Sequence, residues 1–238
     1  MTLQGRRVLV TGGSSGIGLA IARAFAGAGA DVQIAGRDRA RLEASGFRWL
    51  QLDVCDEASL AACPPVDIFV ASAGAAATAP ILKTSSADWD RMIALNLTSV
   101  WLCAKAAVPA MIERGWGRFI AIGSTASVKG YAYAGAYAAA KHGVLGLVRS
   151  LALELAKTGV TANAICPGYT DTPMLRGAID RVAAKTGRTD AETSFAASNP
   201  MGRLIAPDEV AAAALWLASD GAAGVNGQAI VIDGGETA

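Results

Sequence analysis

A short apolar run, Arg7-Val8-Leu9-Val10, leads straight into Thr11-Gly12-Gly13-Ser14-Ser15-Gly16-Ile17-Gly18, and a helix-like run, Leu19-Ala20-Ile21-Ala22-Arg23-Ala24-Phe25, follows at once. Strand, glycine turn and helix in that order restrict a chain to few folds. Glycines let the backbone turn tightly and approach a pyrophosphate. The helix behind them offers unpaired N–H groups and a positive dipole end to an anion. The glycines fall as G-x-x-x-G-x-G, not as the more familiar G-x-G-x-x-G, but the physics is shared. The alternation then continues. Val32–Ala35, Trp49–Leu52, Ile68–Ala71, the run ending at Ile122, Thr161–Ile165 and Ala229–Ile232 read as strands, with helix-period segments such as Trp89–Ala110 and Ala136–Ala156 between them. This pattern predicts an α/β fold, a single-domain doubly wound parallel sheet of seven strands with helices on both faces. A length of 238 residues suits one such domain. The pattern breaks at about 171–207, a polar stretch of the kind that often forms a lid or binding loop.

Chemistry is suggested further along. Tyr137 and Lys141 stand four apart, on one face of a helix. A free tyrosine titrates near roughly 10, and a cation within about 4–6 Å favours its phenolate, so Lys141 is expected to suit Tyr137 to general acid–base work near neutral pH. Ser124 ends the apolar strand Arg118-Phe119-Ile120-Ala121-Ile122. Doubly wound sheets bind ligands at such strand ends, where a hydroxyl can meet a substrate carbonyl. A Tyr-x-x-x-Lys pair alone is a weak signal; behind the glycine turn and the serine it becomes a candidate site.

Composition narrows the classes of partner. Apolar residues make up 53%, charged residues 17%, and the net charge is +1, a balance that excludes a nucleic-acid or membrane-surface role. No run of 18 uninterrupted apolar residues occurs, so no membrane span is expected. The N-terminal residues lack the layout of a signal peptide. Cys55, Cys63, Cys103 and Cys166 are scattered and form no C-x-x-C, as for reduced thiols in a cytoplasmic protein. The lone histidine, His142, forms no metal constellation, and no metal is expected.

With these residues in hand, the chain resembles the classical short-chain dehydrogenase/reductase family over essentially its full length. Thr11–Gly18 is similar to that family's cofactor loop, with Gly12, Ser14, Ser15, Gly16, Ile17 and Gly18 as contacts. Asp53 and Val54 match its adenine-contacting pair, and Ala73 and Gly74 the end of its loop after the fourth strand. Asn96 in Leu95-Asn96-Leu97, with Ser124, Tyr137 and Lys141, matches the catalytic tetrad. Asn163-x-Ile165-x-Pro167-Gly168, with Thr170 and Thr172 beyond, matches the nicotinamide-contacting segment. Gly227 to Gly235 matches the usual ending. The resemblance implies a Rossmann-like fold. It departs at Ala71-Ser72-Ala73-Gly74, where the family usually carries Asn-Asn-Ala-Gly; Ser72 is the candidate replacement for one lost hydrogen bond.

The resemblance implies a ketone–alcohol interconversion using NAD or NADP. Tyr137 would pass the proton, Ser124 would stabilise the oxyanion, Lys141 would lower the tyrosine pKa and orient the ribose, and Asn96 would hold a water in a proton path. Nearest to hand are the branches that reduce 3-oxoacyl thioesters or oxidise 3-hydroxyacyl compounds. Lys129, Tyr131 and Tyr133, and the cations Arg176, Arg181, Lys185, Arg188 and Arg203, are candidates for a thioester arm, although Asp171, Asp180, Asp190 and Glu192 leave that segment at a net +1 (5 − 4). The alternative is a catalytically silent cofactor-binding subunit or regulator. For the cofactor, NADP is favoured. A carboxylate that would select NAD is expected near Gly36, and Arg37 follows instead, with a fork of donors suited to a 2′-phosphate. The helices Trp89–Ala110 and Ala136–Ala156 are apolar on more than one face. Composition and resemblance together imply a homotetramer, with a homodimer as fallback.

Overall fold

The middle of the sheet has no polar face. In a computed structural model describing residues 2–187 and 190–238, strands β4 (Ile68–Ala71), β5 (Gly117–Ile122) and β6 (Val160–Pro167) are buried at every position. Such strands are stable only with helices on both faces. The remaining strands are β1 (Arg7–Thr11), β2 (Asp31–Gly36), β3 (Arg48–Gln51) and β7 (Ala229–Ile232), and the order across the sheet is β3-β2-β1-β4-β5-β6-β7, all parallel. The doubly wound seven-stranded sheet is as the alternation of the sequence implied.

Successive side chains divide between two cores. Leu9, Phe69, Phe119 and Ala121 face α5 (Ser99–Glu113) and α6 (Gly135–Leu155). Val8, Val10, Ile34, Ile68 and Ile120 face α1 (Gly16–Gly27) and α9 (Pro207–Leu217). Phe69 and Phe119 stack across neighbouring strands with ring centroids 5.8 Å apart. The shorter α2 (Arg39–Ala44) and α3 (Glu57–Leu60) complete the β2 and β3 connections.

The connection from β4 to β5 is one long helical run interrupted once. Helix α4 (Ser86–Ile93) passes through a π-helical turn, Ala94–Thr98, into α5. By length and composition the run Ser86–Glu113 passes for a membrane span, but half of its apolar window is buried, as in a core helix.

The segment 171–207, expected as a loop because it is polar, carries two helices, α7 (Pro173–Thr186) and α8 (Ala191–Ala196). Thr172 caps α7 through Leu175 N, Pro173 occupies its first turn, and Gly187 ends it in a left-handed conformation (φ 69°). Leu175, Ile179 and Ala191 form a small core of their own with Tyr169 and Phe195. Polarity hid a helix whose caps were explicit. Of the candidate cations here, Arg188 lies outside the described residues.

Candidate active site

The sheet reverses direction of growth between β1 and β4, so their carboxyl ends open a crevice, the usual ligand position in such sheets. The glycine turn lines it. Gly12 adopts φ 66°, and a Cβ there would lie 3.0 Å from the Ala73 backbone; a Cβ on Gly18 would come within 2.4 Å of the Gly12 carbonyl. Ser15 is the N-cap of α1, yet its side chain makes no capping bond, which leaves the first-turn N–H groups of Gly16, Ile17 and Gly18 without that partner. A Cβ on Gly16 would meet Thr172 at 3.2 Å. The turn thus lies against both the Ala73–Gly74 loop and the start of α7, and together they form one cradle. That shape and its free N–H groups fit a dinucleotide pyrophosphate.

The ends of β2 and β3 next to the glycine turn carry exposed polar side chains. Ser14 Oγ would lie 4.0 Å from a Cβ on Gly36. Arg37 is 68% exposed at its side chain and only 3.8 Å from Asp53. Asp53 also accepts from Cys55 N at 2.9 Å, and Val54 is buried beside it. Asp38 is committed elsewhere: it caps α2 through Arg41 N at 3.1 Å and pairs with the Arg41 guanidinium at 3.2 Å.

Four expected residues converge at the strand ends. Ser124 follows β5 and caps a short turn, accepting from Ala126 N at 3.1 Å. The phenol of Tyr137, on the first turn of α6, is within hydrogen-bonding reach of Ser124. Lys141 lies one turn on, with Nζ 5.8 Å from the Tyr137 ring centre and donating to the Ile122 carbonyl at 2.7 Å. Asn96 sits in the π-helical turn. Its amide donates to Ala75 O at 2.9 Å and to Met92 O at 3.1 Å, and its Oδ1 accepts from Ala75 N at 3.2 Å. Gly143 of α6 makes this meeting possible, since a Cβ there would strike Leu97 at 2.6 Å. Gly74 completes the set: a Cβ would lie 2.9 Å from Asn96 Oδ1 and 3.8 Å from Lys141 Nζ.

The electrostatics correct one expectation. Burial pushes the Tyr137 phenol above its usual range, opposed by the Ser124 hydrogen bond. Burial also brings the Lys141 ammonium down to about 8. Lys141 is held on the Ile122 carbonyl, and burial is the largest influence on the tyrosine. The pair is spaced as expected, but the low-dielectric pocket dominates both groups.

The sequence pattern of the family described as enoyl-(acyl carrier protein) reductase matches residues 12–237. The cis-4-hydroxycyclohexanecarboxylate dehydrogenase of Sinomonas cyclohexanicum is 40% identical, with 98% of this chain and 97% of that protein covered. A granaticin polyketide synthase putative ketoacyl reductase of Streptomyces violaceoruber is 39% identical over 95% of this chain and 91% of its own. The crystal structure of an actinorhodin polyketide ketoreductase variant with NADPH superposes with a TM-score of 0.91 at 35% identity, covering 99% of both chains. This chain belongs to the short-chain dehydrogenase/reductase family.

The altered loop after β4 in this enzyme is held by Thr11. The Thr11 hydroxyl donates to Val70 O at 3.3 Å and accepts from Ser72 N at 3.1 Å and Ala73 N at 3.3 Å. One buried hydroxyl at the end of β1 thus fixes the loop by its backbone. Asn163, within the segment matched to nicotinamide contact, is spent structurally: it donates to Val225 O at 2.7 Å and accepts from Gln228 N at 3.0 Å. Pro167 and Thr170 are buried at the end of β6, and Thr170 donates to Gly168 O at 3.0 Å. His142 is exposed on α6 with Nδ1 2.9 Å from Ala138 O.

A cavity of about 450 Å³ is lined by Lys129, Tyr131, Tyr169, Phe195 and Glu236, among others. Sequence reasoning picked out Lys129 and Tyr131 but missed Glu236, which lies 99 positions beyond Tyr137 (236 − 137) and has no local signal. Two of the candidate cations are already paired. Arg176 binds Asp171 at 2.6 Å and Glu192 at 2.8 Å, and Arg203 binds Glu209 at 2.6 Å.

Proposed function

We propose that the enzyme reduces a ketone to a secondary alcohol, or the reverse, with NADP(H), and that its substrate is a 3-oxoacyl thioester or a related ketone. The observation that carries the reading is the meeting of the Ser124 and Tyr137 hydroxyls above a glycine cradle, with Lys141 one helical turn behind. The nicotinamide would supply or accept the hydride. Tyr137 gives the carbonyl oxygen its proton, and burial keeps that proton on the phenol until it is needed. Ser124 donates to the developing oxyanion, a positioned donor that needs no reorganisation. Lys141 holds the ribose. Asn96 fixes the Gly74–Ala75 turn beside the ammonium, where a water chain to solvent would restore the proton.

The preference for NADP rests on the adenosine end. Gly36 stands where a carboxylate would select NAD, Asp38 is held by α2, and Arg37 is exposed with one loose partner. The thioester reading rests on the ketoacyl reductases among the relatives, and less on the cations of 171–207, since Arg176 and Arg203 are paired. Helices α7 and α8 would cover the substrate. The homotetramer reading is supported by Leu153, 80% exposed on α6, and Trp101, 47% exposed on α5, with β7 on the open edge of the sheet for a second contact. Purified protein incubated with NADPH and a panel of 3-oxoacyl thioesters, linear ketones and cyclic ketones, followed at the nicotinamide absorbance, tests the reading. No turnover of any carbonyl would overturn it.

A further inference from the structure

Ser124 is not held in place by its own backbone preference. It sits in an extended conformation (φ −168°, ψ 165°) that any residue adopts. Ser127, three residues on, fixes it. The Ser127 hydroxyl accepts from Ser124 N at 3.2 Å, and Ser127 N donates to the Ser124 carbonyl at 2.8 Å. Both polar main-chain groups of Ser124 are thus tied to one residue.

Ser127 is itself anchored. It is buried, and its hydroxyl lies within hydrogen-bonding reach of the Cys166 thiol near the end of β6. Gly123 passes between the two: a Cβ there would lie 2.9 Å from both Cys166 Sγ and Ser127 Oγ. Gly123 N donates to the Ile165 carbonyl at 2.7 Å, and the Lys141 ammonium holds the Ile122 carbonyl at 2.7 Å. The end of β5 is therefore pinned at residues 122, 123 and 124 in turn. Neither Ser127 nor Cys166 takes part in the proton or hydride path.

We propose that Ser127 is a positioning residue whose hydroxyl, seated between the Ser124 N–H and the Cys166 thiol, keeps the Ser124 hydroxyl aimed as a donor at the reacting carbonyl oxygen. This deepens the ketone reductase reading and rests on it. A hydroxyl has one proton and two lone pairs. The Ser124 oxygen accepts from Ala126 N at 3.1 Å, which leaves its proton for the side where Tyr137 stands. A Ser124 turned about its main chain would present a lone pair there, and a lone pair repels a developing oxyanion. Only a donor already pointing the right way stabilises it without reorganisation.

The test uses the full chain with NADPH and one ketone that it reduces, in four forms: the parent, Ser127→Ala, Ser124→Ala and the double variant. Ser127→Ala should lower kcat by roughly ten- to a hundredfold, the scale of a misplaced group, with KM and NADPH affinity little changed. In the Ser124→Ala background the same substitution should change kcat by less than about twofold, because the group that Ser127 positions is gone. Melting temperatures show that the forms are folded. Ser127→Cys, which fills the same space with a poor acceptor, replaces the alanine variant if that one is not. A loss of equal size in both backgrounds would make Ser127 a purely structural residue and overturn the proposal. So would an unchanged kcat in Ser127→Ala. Turnover unaffected by Ser124→Ala, or no ketone reduced by the parent, would instead remove the reductase reading, and the proposal with it.

Discussion

The Lys141 ammonium is anchored on the Ile122 carbonyl at 2.7 Å, on the strand that delivers Ser124, while Tyr137 stands with its ring centre 5.8 Å away. Strand and helix are thereby locked together at the site. The lysine cannot reach for a cofactor without keeping or exchanging that bond, so its charge state governs whether the exchange is worthwhile.

Cofactor affinity should therefore depend on pH. The free enzyme's Lys141 titrates at about 8 against an ordinary 10.5, because burial disfavours its charge. A ribose oxygen favours the ammonium, so binding should take up a proton above pH 8, and affinity should fall as pH rises through that value. The same lowered pKa means that folding stability contributed by this group rises with pH between about 8 and 10.5, where the unfolded chain holds the extra proton. Kd for NADPH measured across this range should show the fall, and Lys141→Met should flatten it. A pH-independent Kd in the parent enzyme would contradict the ribose role.

Tyr137→Phe removes the proton donor and keeps the ring. Turnover should fall by at least roughly 10²–10⁴-fold with NADPH affinity little changed. Because the free phenol is held above its usual range, the parent enzyme should oxidise alcohols faster as pH rises, while reducing ketones with little pH dependence. Near-normal turnover in the variant would end the assignment.

Arg37→Ala should weaken NADPH more than NADH by roughly ten- to a hundredfold, since only NADPH presents a 2′-phosphate to the guanidinium. The 3.8 Å pairing with Asp53 is too loose and exposed to hold the arginine back. Equal losses on both cofactors would reduce Arg37 to a surface residue.

Gly18→Ala should destabilise the fold and impair cofactor binding together. Its Cβ would come within 2.4 Å of the Gly12 carbonyl, a main-chain atom that cannot swing aside. Overpacking of this kind costs about 1–3 kcal/mol. Urea denaturation gives the first effect and fluorescence titration the second; a variant of unchanged stability would mean that the turn is looser than its geometry.

Leu153→Lys should split the assembly. Light scattering coupled to size exclusion should give about four times 24.1 kDa for the parent chain and a smaller species for the variant. A parent chain that runs as a monomer would leave the exposed Leu153 and Trp101 without a cover.

Much of this was legible in the chain itself. Ile68–Ala71 and Ala229–Ile232 are strands at the bounds their apolar runs indicate. The tetrad is brought together because spacing on a helix and position at a strand end are local properties. What escaped was of three kinds. Helices α7 and α8 lie in a polar stretch, where α7 is signalled by its caps and not by periodicity. Glu236 and Thr11 act across 105 and 59 positions, to Tyr131 and Val70, and no local pattern announces such contacts. The balance between burial and charge at Tyr137 and Lys141 was equally invisible, since desolvation depends on everything packed around a group.

The bridge from Thr11 to the loop after β4 changes what that loop has to be. Its hydroxyl holds residues 72 and 73 by their amide hydrogens alone, and an amide hydrogen is something that every residue except proline can offer. The identity of the side chains there ceases to be a structural requirement, and the burden passes to a single threonine on a neighbouring strand. A loop anchored in this way is free to drift in sequence while keeping its path, so a missing side-chain pattern here is weak evidence of a missing activity.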